Sequence, residues 1–373
     1  MPDETTPGGA PDGPSDGSPV GSAAGSAAGS AVGSARATGT APPPPDAPTL
    51  ETVAAVAGVS RATVSRVINN SPKVSPQVRE VVEAAIAKTG YVPNRAARTL
   101  VTRRTDSVAL VIQEPETHLF GDPYLTGIVR SVSEELSGTD TQLVLMMVRT
   151  SADQQRLERY LRGGHVDGAL LVSLHGDAML PNRLVQAGIP VVVGGRPLGR
   201  AEGITYVDAD NVGGARLATR YLHERGRRRI ATIAGPQDMC AGIDRLKGYL
   251  DEVDGEPVVV HGDFTRDSGT AAMRELLRTA DDVDAVFAAS DLMAAAAVSV
   301  LRESGRRVPE DVAVVGFDDV EAALWSDPPL TTVHQPVHEQ GRRMTRLLLD
   351  HVVAGSGAEP VILPTHLVTR ASA

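Results

Sequence analysis

A small all-α module followed by an α/β body of two doubly wound parallel-sheet lobes is the fold class this sequence predicts. Residues 49–93 show helical periodicity bounded by cap residues. From residue 107 onward, short apolar runs alternate with amphipathic helical ones, the pattern of parallel strands covered by helices on both faces. Nine such runs are many for one sheet, which argues for two lobes. With 373 residues, 42% of them hydrophobic, the chain can hold two or three domains and a sizeable core.

Residues 1–48 contain "GSAAGSAAGSAVGSA" and "APPPPDAP", small residues and prolines that bury too little apolar surface to offset the entropy of ordering them. The expectation is a disordered tail. It lacks the basic start and apolar run of a signal peptide, and no later stretch is long and apolar enough for a membrane span. One cysteine, Cys240, offers no internal disulfide. Together these predict a cytoplasmic protein without a membrane partner.

The module begins with "TLETVAAVAG", where Leu50, Val53, Ala54 and Ala57 share a helical face and Gly58 supplies the stop. Ser60 is an N-cap for "RATVSRVIN", whose apolar side is Val64, Val67 and Ile68. Two short helices joined by a three-residue turn have the helix-turn-helix spacing. On the second helix Arg61, Ala62, Thr63, Ser65, Arg66 and Asn69 remain outside. Short donors suit phosphate oxygens, an arginine spans O6 and N7 of guanine, and an alanine touches a thymine methyl. A plain solvated helix face is the other reading of that helix taken alone. A third helix follows in "SPQVREVVEAAIAKTGY", with Ser75 as N-cap, Pro76 in the first turn, Val78, Val81, Val82, Ala85 and Ile86 for the core, and Gly90 as the stop.

Charge supports the DNA reading. Between Thr49 and Asp106 nine basic residues face four acidic ones, a net +5 in a chain of net −10, which leaves −15 for the remainder. Only the small module is suited to approach a polyanion.

The stretch "TLETVAAVAGVSRATVSRVINNSPKVSPQVREVVEAAIAKTGYVPNRAARTL" resembles the headpiece and hinge of the lactose-repressor (LacI/GalR) family of bacterial transcription regulators, and the resemblance continues to the end of the chain. It implies that Arg61, Ala62 and Arg66 read base edges, and that Thr49, Ser60, Thr63, Ser65, Asn69, Ser75 and Asn94 contact phosphates. It further implies that residues 94–106 form a hinge and linker, with Ala97 and Leu100 at the minor groove, where an apolar wedge bends the duplex. Read without the family, "NRAARTL" is a basic linker.

In the body, the strand-like runs are "SVALVIQ", "TQLVLMMV", "GALLVSL", "PVVVGG", "ITYVD", "RRIATIAG", "PVVVHGD", "AVFAAS" and "VAVVGFDD". The resemblance implies a periplasmic-binding-protein-like core over 107–373, with one lobe at about 107–207 and 337–362 and the other at about 208–336 and 363–373. A ligand should meet loops at the carboxyl ends of the strands. By the same resemblance, Arg245 in "DRLKGY" grips effector oxygens with Asp291 in "AASDLMA" as its partner, Tyr124 and Phe264 set aromatics against the ligand, and Ser173 is a further contact. A guanidinium that donates and a carboxylate that accepts suit a polyol. Lobe packing and a plain salt bridge are the alternatives for these residues.

Other features exclude chemistry. Pro336 separates His334 from His338, so no metal pair is assigned. "VVVGGRPLG" lacks both nucleotide-binding patterns, and no serine elbow is present. Ser131 stands where relatives commonly have glycine. No cofactor and no enzyme activity are expected. No leucine-heptad segment follows "LPTHLVTRASA", so a homodimer is expected. Its partners would be double-stranded DNA with a near-palindromic operator and a small effector, a sugar by the resemblance, that releases the operator. A corepressor with a non-sugar ligand is the first alternative, and a solute-binding protein or α/β enzyme is the second.

Overall fold

The computed structural model describes residues 48–69, 71–92, 104–176, 179–199, 203–354 and 358–373. The expected tail up to residue 47, and Asn94, Ala97 and Leu100, lie outside the described residues. The chain divides after Val92 into a small unit and a large one.

The small unit comprises α1 (Leu50–Ala57), α2 (Arg61–Ile68) and α3 (Pro76–Thr89). Each start is capped by a hydroxyl. Thr49 closes a reciprocal box with Thr52, the Ser60 Oγ accepts from Thr63 N at 3.2 Å, and the Ser75 Oγ accepts from Val78 N at 3.4 Å. Such caps satisfy amides that the first helical turn leaves unpaired, and losing one costs about 1 kcal/mol. Gly58 and Gly90 end α1 and α3 with φ of 65° and 67°, a conformation that costs a glycine nothing. Val53, Ala54, Val64, Val67, Val82 and Ala85 form the core. Val81, expected inside, is 49% exposed, because it falls at the edge of the stripe set by Val78, Val82 and Ala85.

The large unit holds two six-stranded sheets, ordered β11-β5-β4-β3-β1-β2 and β12-β10-β9-β8-β6-β7. The first contains β1 (Ser107–Ile112), β2 (Gln142–Met147), β3 (Gly168–Val172), β4 (Val191–Gly194), β5 (Thr205–Ala209) and β11 (Val361–Leu363). The second contains β6 (Ile230–Ala234), β7 (Val258–His261), β8 (Ala285–Ala288), β9 (Ala313–Asp318), β10 (Thr331–His334) and β12 (His366–Val368). All pairs are parallel except β10 with β12. The central strands are buried end to end, as parallel strands covered on both faces must be. Helices Asn211–Glu224 and Cys240–Leu250 lie against each other, as do Arg266–Thr279 and Asp291–Glu303. Glycine permits this closeness: a Cβ on Gly248 would lie 2.4 Å from Val212 O, and one on Gly269 would lie 2.6 Å from Met293 Cα.

Three strands were not among the nine runs. β10, β11 and β12 have four, three and three residues, too short to display alternation, and Pro364 splits "VILPTHLV" so that its halves join different sheets. The lobe boundaries also shift. β5 stays in the first sheet to Ala209 and β11 to Leu363, because those two residues pair with each other, two residues and one residue past the expected limits of 207 and 362. His334 ends β10 and meets Asp319 at 3.0 Å, whereas His338 follows Pro336 into helix Val337–Ala354 and meets Ser131 at 3.0 Å. Ser131 is fully buried and also donates to Gly127 O. Among the described residues no helix is long and apolar enough to cross a membrane, and no three His, Cys, Asp or Glu side chains cluster as metal ligands would.

Candidate functional site

Two sites emerge, one in each unit. In the small unit, Arg61, Ala62, Arg66 and Asn69 are exposed along α2, with Thr63 and Ser65 half-buried beside them. The spacing 61, 62, 65, 66 and 69 places these residues on one face of a helix whose opposite face carries Val64 and Val67. Thr49, Ser60 and Ser75 act as N-caps. The Ser60 and Thr49 hydroxyls also meet those of Thr63 and Thr52, at 2.9 and 3.3 Å, which uses one O–H of each pair beside a helix N-terminus that favours negative charge. Asn69 caps the other end of α2 through Nδ2 to Ser65 O at 2.8 Å.

In the large unit a cavity of about 380 Å³ lies between the two lobes. Arg245, on helix Cys240–Leu250, lines it at only 4% exposure. Its Nε donates to Asn211 Oδ1 at 2.9 Å, Nη1 to Ala289 O at 2.6 Å and Asp318 Oδ1 at 3.0 Å, and Nη2 to Gln335 Oε1 at 2.7 Å. Its guanidinium carbon lies 3.7 Å from the centre of the Phe317 ring and 5.6 Å from that of Phe264. Four of its five N–H groups are thereby engaged by described residues.

Tyr124, Ser173 and Phe264 line the same cavity. Tyr124 starts helix Pro123–Leu136 rather than ending a strand, and burial pushes its phenol up. Ser173 follows β3 with φ of 55° and donates to Glu114 Oε1 at 2.7 Å. Phe264 has φ of 69°, and its ring occupies the space where a Cβ on Gly235 would fall. Asp318, at φ 113°, is a third non-glycine cavity residue in the left-handed region, where strain persists only if the surroundings enforce it.

Asp291 does not line the cavity, which corrects the expected partnership with Arg245. It is fully buried in the second lobe, accepting from Thr332 Oγ1 at 2.5 Å and from Val320 N at 2.9 Å. The carboxylate on Arg245 is Asp318, at the end of β9. Burial, opposed by Arg245, holds the Asp318 carboxyl above its ordinary range. Asn211, Gln335 and Asp318, the side chains that hold Arg245, are among the cavity residues that sequence reasoning missed. Asp318 closes the strand-like run "VAVVGFDD" and could have been found as a charge at a strand's carboxyl end; Gln335 follows β10, which was itself missed.

Among the polar links that join the lobes at the cleft are two ion pairs. Arg196 Nη2 lies 2.8 Å from both carboxylate oxygens of Asp244. His175 Nδ1 lies 3.0 Å from Asp238 Oδ2, its Nε2 lies 2.9 Å from Glu114 Oε1, and Gly176 N donates to Asp238 O at 2.8 Å. The bond to Glu114, then that to Asp238, raises the His175 pKa to about 9 against partial burial. A raised imidazolium contributes stability fully below its unfolded value of 6.5 and loses it as pH rises through about 9. The difference in thermal midpoint between the native chain and His175→Gln should therefore be largest near pH 6 and fade by about pH 10. A difference that does not vary with pH would mean that the imidazole is neutral.

A helix-turn-helix unit joined in one chain to a two-lobed α/β core with a polar cleft defines a class: ligand-responsive DNA-binding regulators. Residues 49–94 match the family "Bacterial regulatory proteins, lacI family", and residues 219–373 match a periplasmic binding protein-like domain. The chain is 59% identical over 335 residues to the HTH-type transcriptional regulator CelR of Thermobifida fusca, covering 87% of this chain and 98% of that one. It is 34% identical over 341 residues to the repressor CytR of Escherichia coli K12, covering 87% and 96%. Among solved structures, a CelR–cellobiose complex superposes with a TM-score of 0.70 at 54% identity, over 87% of this chain and all of that one. The lac repressor dimer bound to operator and the anti-inducer ONPF superposes at 0.76 with 28% identity, over 87% and 99%. The chain belongs to the LacI family of bacterial transcription regulators.

Proposed function

We propose that this regulator is a dimeric repressor that leaves its operator when the cleft takes cellobiose or a closely similar glucose disaccharide. The observation that carries the reading is the identity of 54% to a cellobiose-bound relative, combined with a cleft whose Arg245–Asp318 pair suits neighbouring hydroxyls. Arg61, Ala62 and Arg66 read bases; Thr49, Ser60, Thr63, Ser65, Asn69, Ser75 and Asn94 hold phosphates; Ala97 and Leu100 meet the minor groove. Tyr124, Ser173, Phe264 and Arg245 hold the effector, with Asp318 in the role first given to Asp291. The headpiece takes 49–93 and the hinge 94–106. The protein acts in the cytoplasm by binding and not by catalysis.

The sugar moves the equilibrium only through unequal affinity for the two states, with a coupling of about 1–3 kcal/mol. In a thermal-shift comparison of the full chain, cellobiose should raise the midpoint; at 100 times its Kd the added stability is about 2.7 kcal/mol. It should also displace a labelled operator duplex. A shift produced by glucose or maltose but not cellobiose would replace the proposed effector, and no shift with any sugar would remove the carbohydrate class.

A further inference from the structure

Arg61, the first residue of α2, is already engaged: its Nε lies 3.1 Å from Oε1 of Glu51, in the first turn of α1, and the two side chains are 69% and 62% exposed. A hydrogen bond from its own backbone N–H, then one from Thr49, holds the Glu51 carboxyl below its ordinary range, so it is charged at neutral pH. A carboxylate beside the base-reading residues of a module that otherwise gathers positive charge repels phosphates.

Two ordinary roles do not by themselves explain its place beside Arg61. An acid in the first turn steadies the helix N-terminus, where Glu51 accepts from its own backbone N–H beside the box formed by Thr49 and Thr52, but that role does not require the contact with Arg61. An exposed ion pair adds little to stability on its own. The geometry supplies a third explanation. A guanidinium carries a fork of two Nη groups besides its Nε–H. Glu51 Oε1 lies 3.1 Å from Nε as an ion pair and not as a linear hydrogen bond, a charge contact on the Nε edge that leaves the Nη fork for O6 and N7 of guanine. An arginine side chain also loses considerable rotamer freedom when it is ordered, and a partner that holds it beforehand reduces that loss on binding.

We infer that Glu51 is a positioning and specificity-determining residue for DNA reading: it orients Arg61 toward guanine and penalises DNA on which no guanine answers. The inference rests on the base-reading role proposed for Arg61. Without the guanine contact, the Glu51 charge stands against the phosphates with nothing gained in return. With it, the oriented fork forms a bidentate pair that discriminates by about 1–3 kcal/mol, or roughly 5- to 150-fold.

The test uses the full chain and a duplex selected by the native protein from a random pool. Affinity is measured for that duplex, for versions with each G·C pair changed to A·T, and for unrelated DNA. Glu51→Ala should lose at least about 5-fold discrimination at one G·C pair per half-site, the same pair that Arg61→Ala relaxes, while its affinity for unrelated DNA rises. The double variant should discriminate at that pair no worse than Arg61→Ala alone. Glu51→Gln, which keeps an acceptor for Nε without the charge, should restore discrimination yet still hold unrelated DNA more tightly than the native chain does. Equal loss on every duplex would mean a structural role only and would overturn the inference. So would an unchanged profile for Glu51→Ala where Arg61→Ala alters it. If Arg61→Ala itself leaves every G·C preference intact, the base-reading role of Arg61 fails, and the inference with it.

Discussion

Arg245→Ala is expected to abolish the response to effector and to destabilise the core by about 3–5 kcal/mol, the penalty for breaking one partner out of a buried ion pair. The guanidinium ties together Asn211, Ala289, Asp318 and Gln335, from four separate segments around the cleft. Its removal takes away what opposes burial at Asp318, so that carboxyl must take up a proton or stay charged without its partner, and it leaves Asn211 and Gln335 without their donor. Urea unfolding reads the stability loss directly. Arg245→Lys separates folding from binding, since an ammonium keeps the charge but cannot span the same four acceptors. That variant should remain folded and bind the sugar at least about tenfold more weakly, one lost charge-assisted hydrogen bond being worth roughly 1.5–3 kcal/mol. A normal sugar-induced midpoint shift in either variant would remove Arg245 from the effector site.

The second large effect is expected on DNA. Arg61→Ala and Arg66→Ala should each weaken operator binding by about 1–3 kcal/mol, with smaller losses on unrelated DNA. Both side chains are exposed on α2, whose core contacts come from Val64 and Val67, so truncation should leave the helix folded. Titration at several salt concentrations distinguishes the possible roles. A base-reading arginine loses affinity mainly on the operator, whereas a phosphate-binding one weakens all duplexes alike and lowers the salt slope by about one. Unchanged operator affinity in both variants would mean that α2 is not the reading helix.

These expectations draw on two levels of information. In the headpiece nearly everything is local: Thr49, Ser60 and Ser75 cap, Gly58 and Gly90 stop, and valines repeat at helical spacing, all within a few residues of the groups they satisfy. The helices and the outward face of α2 were therefore legible in the residues themselves. The same holds for the central parallel strands, whose burial on both faces writes them as continuous apolar runs. The individual DNA contacts and the wedge at Leu100 came from family resemblance.

The cleft is a different matter. Asn211, Asp318 and Gln335 converge on Arg245 from positions 34, 73 and 90 residues away in the chain. No spacing rule connects them, and the choice of Asp291 over Asp318 shows the consequence. Both acids stand at the carboxyl end of a strand-like run, but one turns inward to Thr332 and Val320 N while the other reaches the guanidinium. What the sequence determined by itself was the class of fold and the helix-turn-helix, because caps, stops and periodicity act between near neighbours. Which carboxylate meets Arg245, and which histidine ties the lobes together, only the tertiary structure decided. Those assignments depend on directions in space that arise once strands distant in the chain are set side by side.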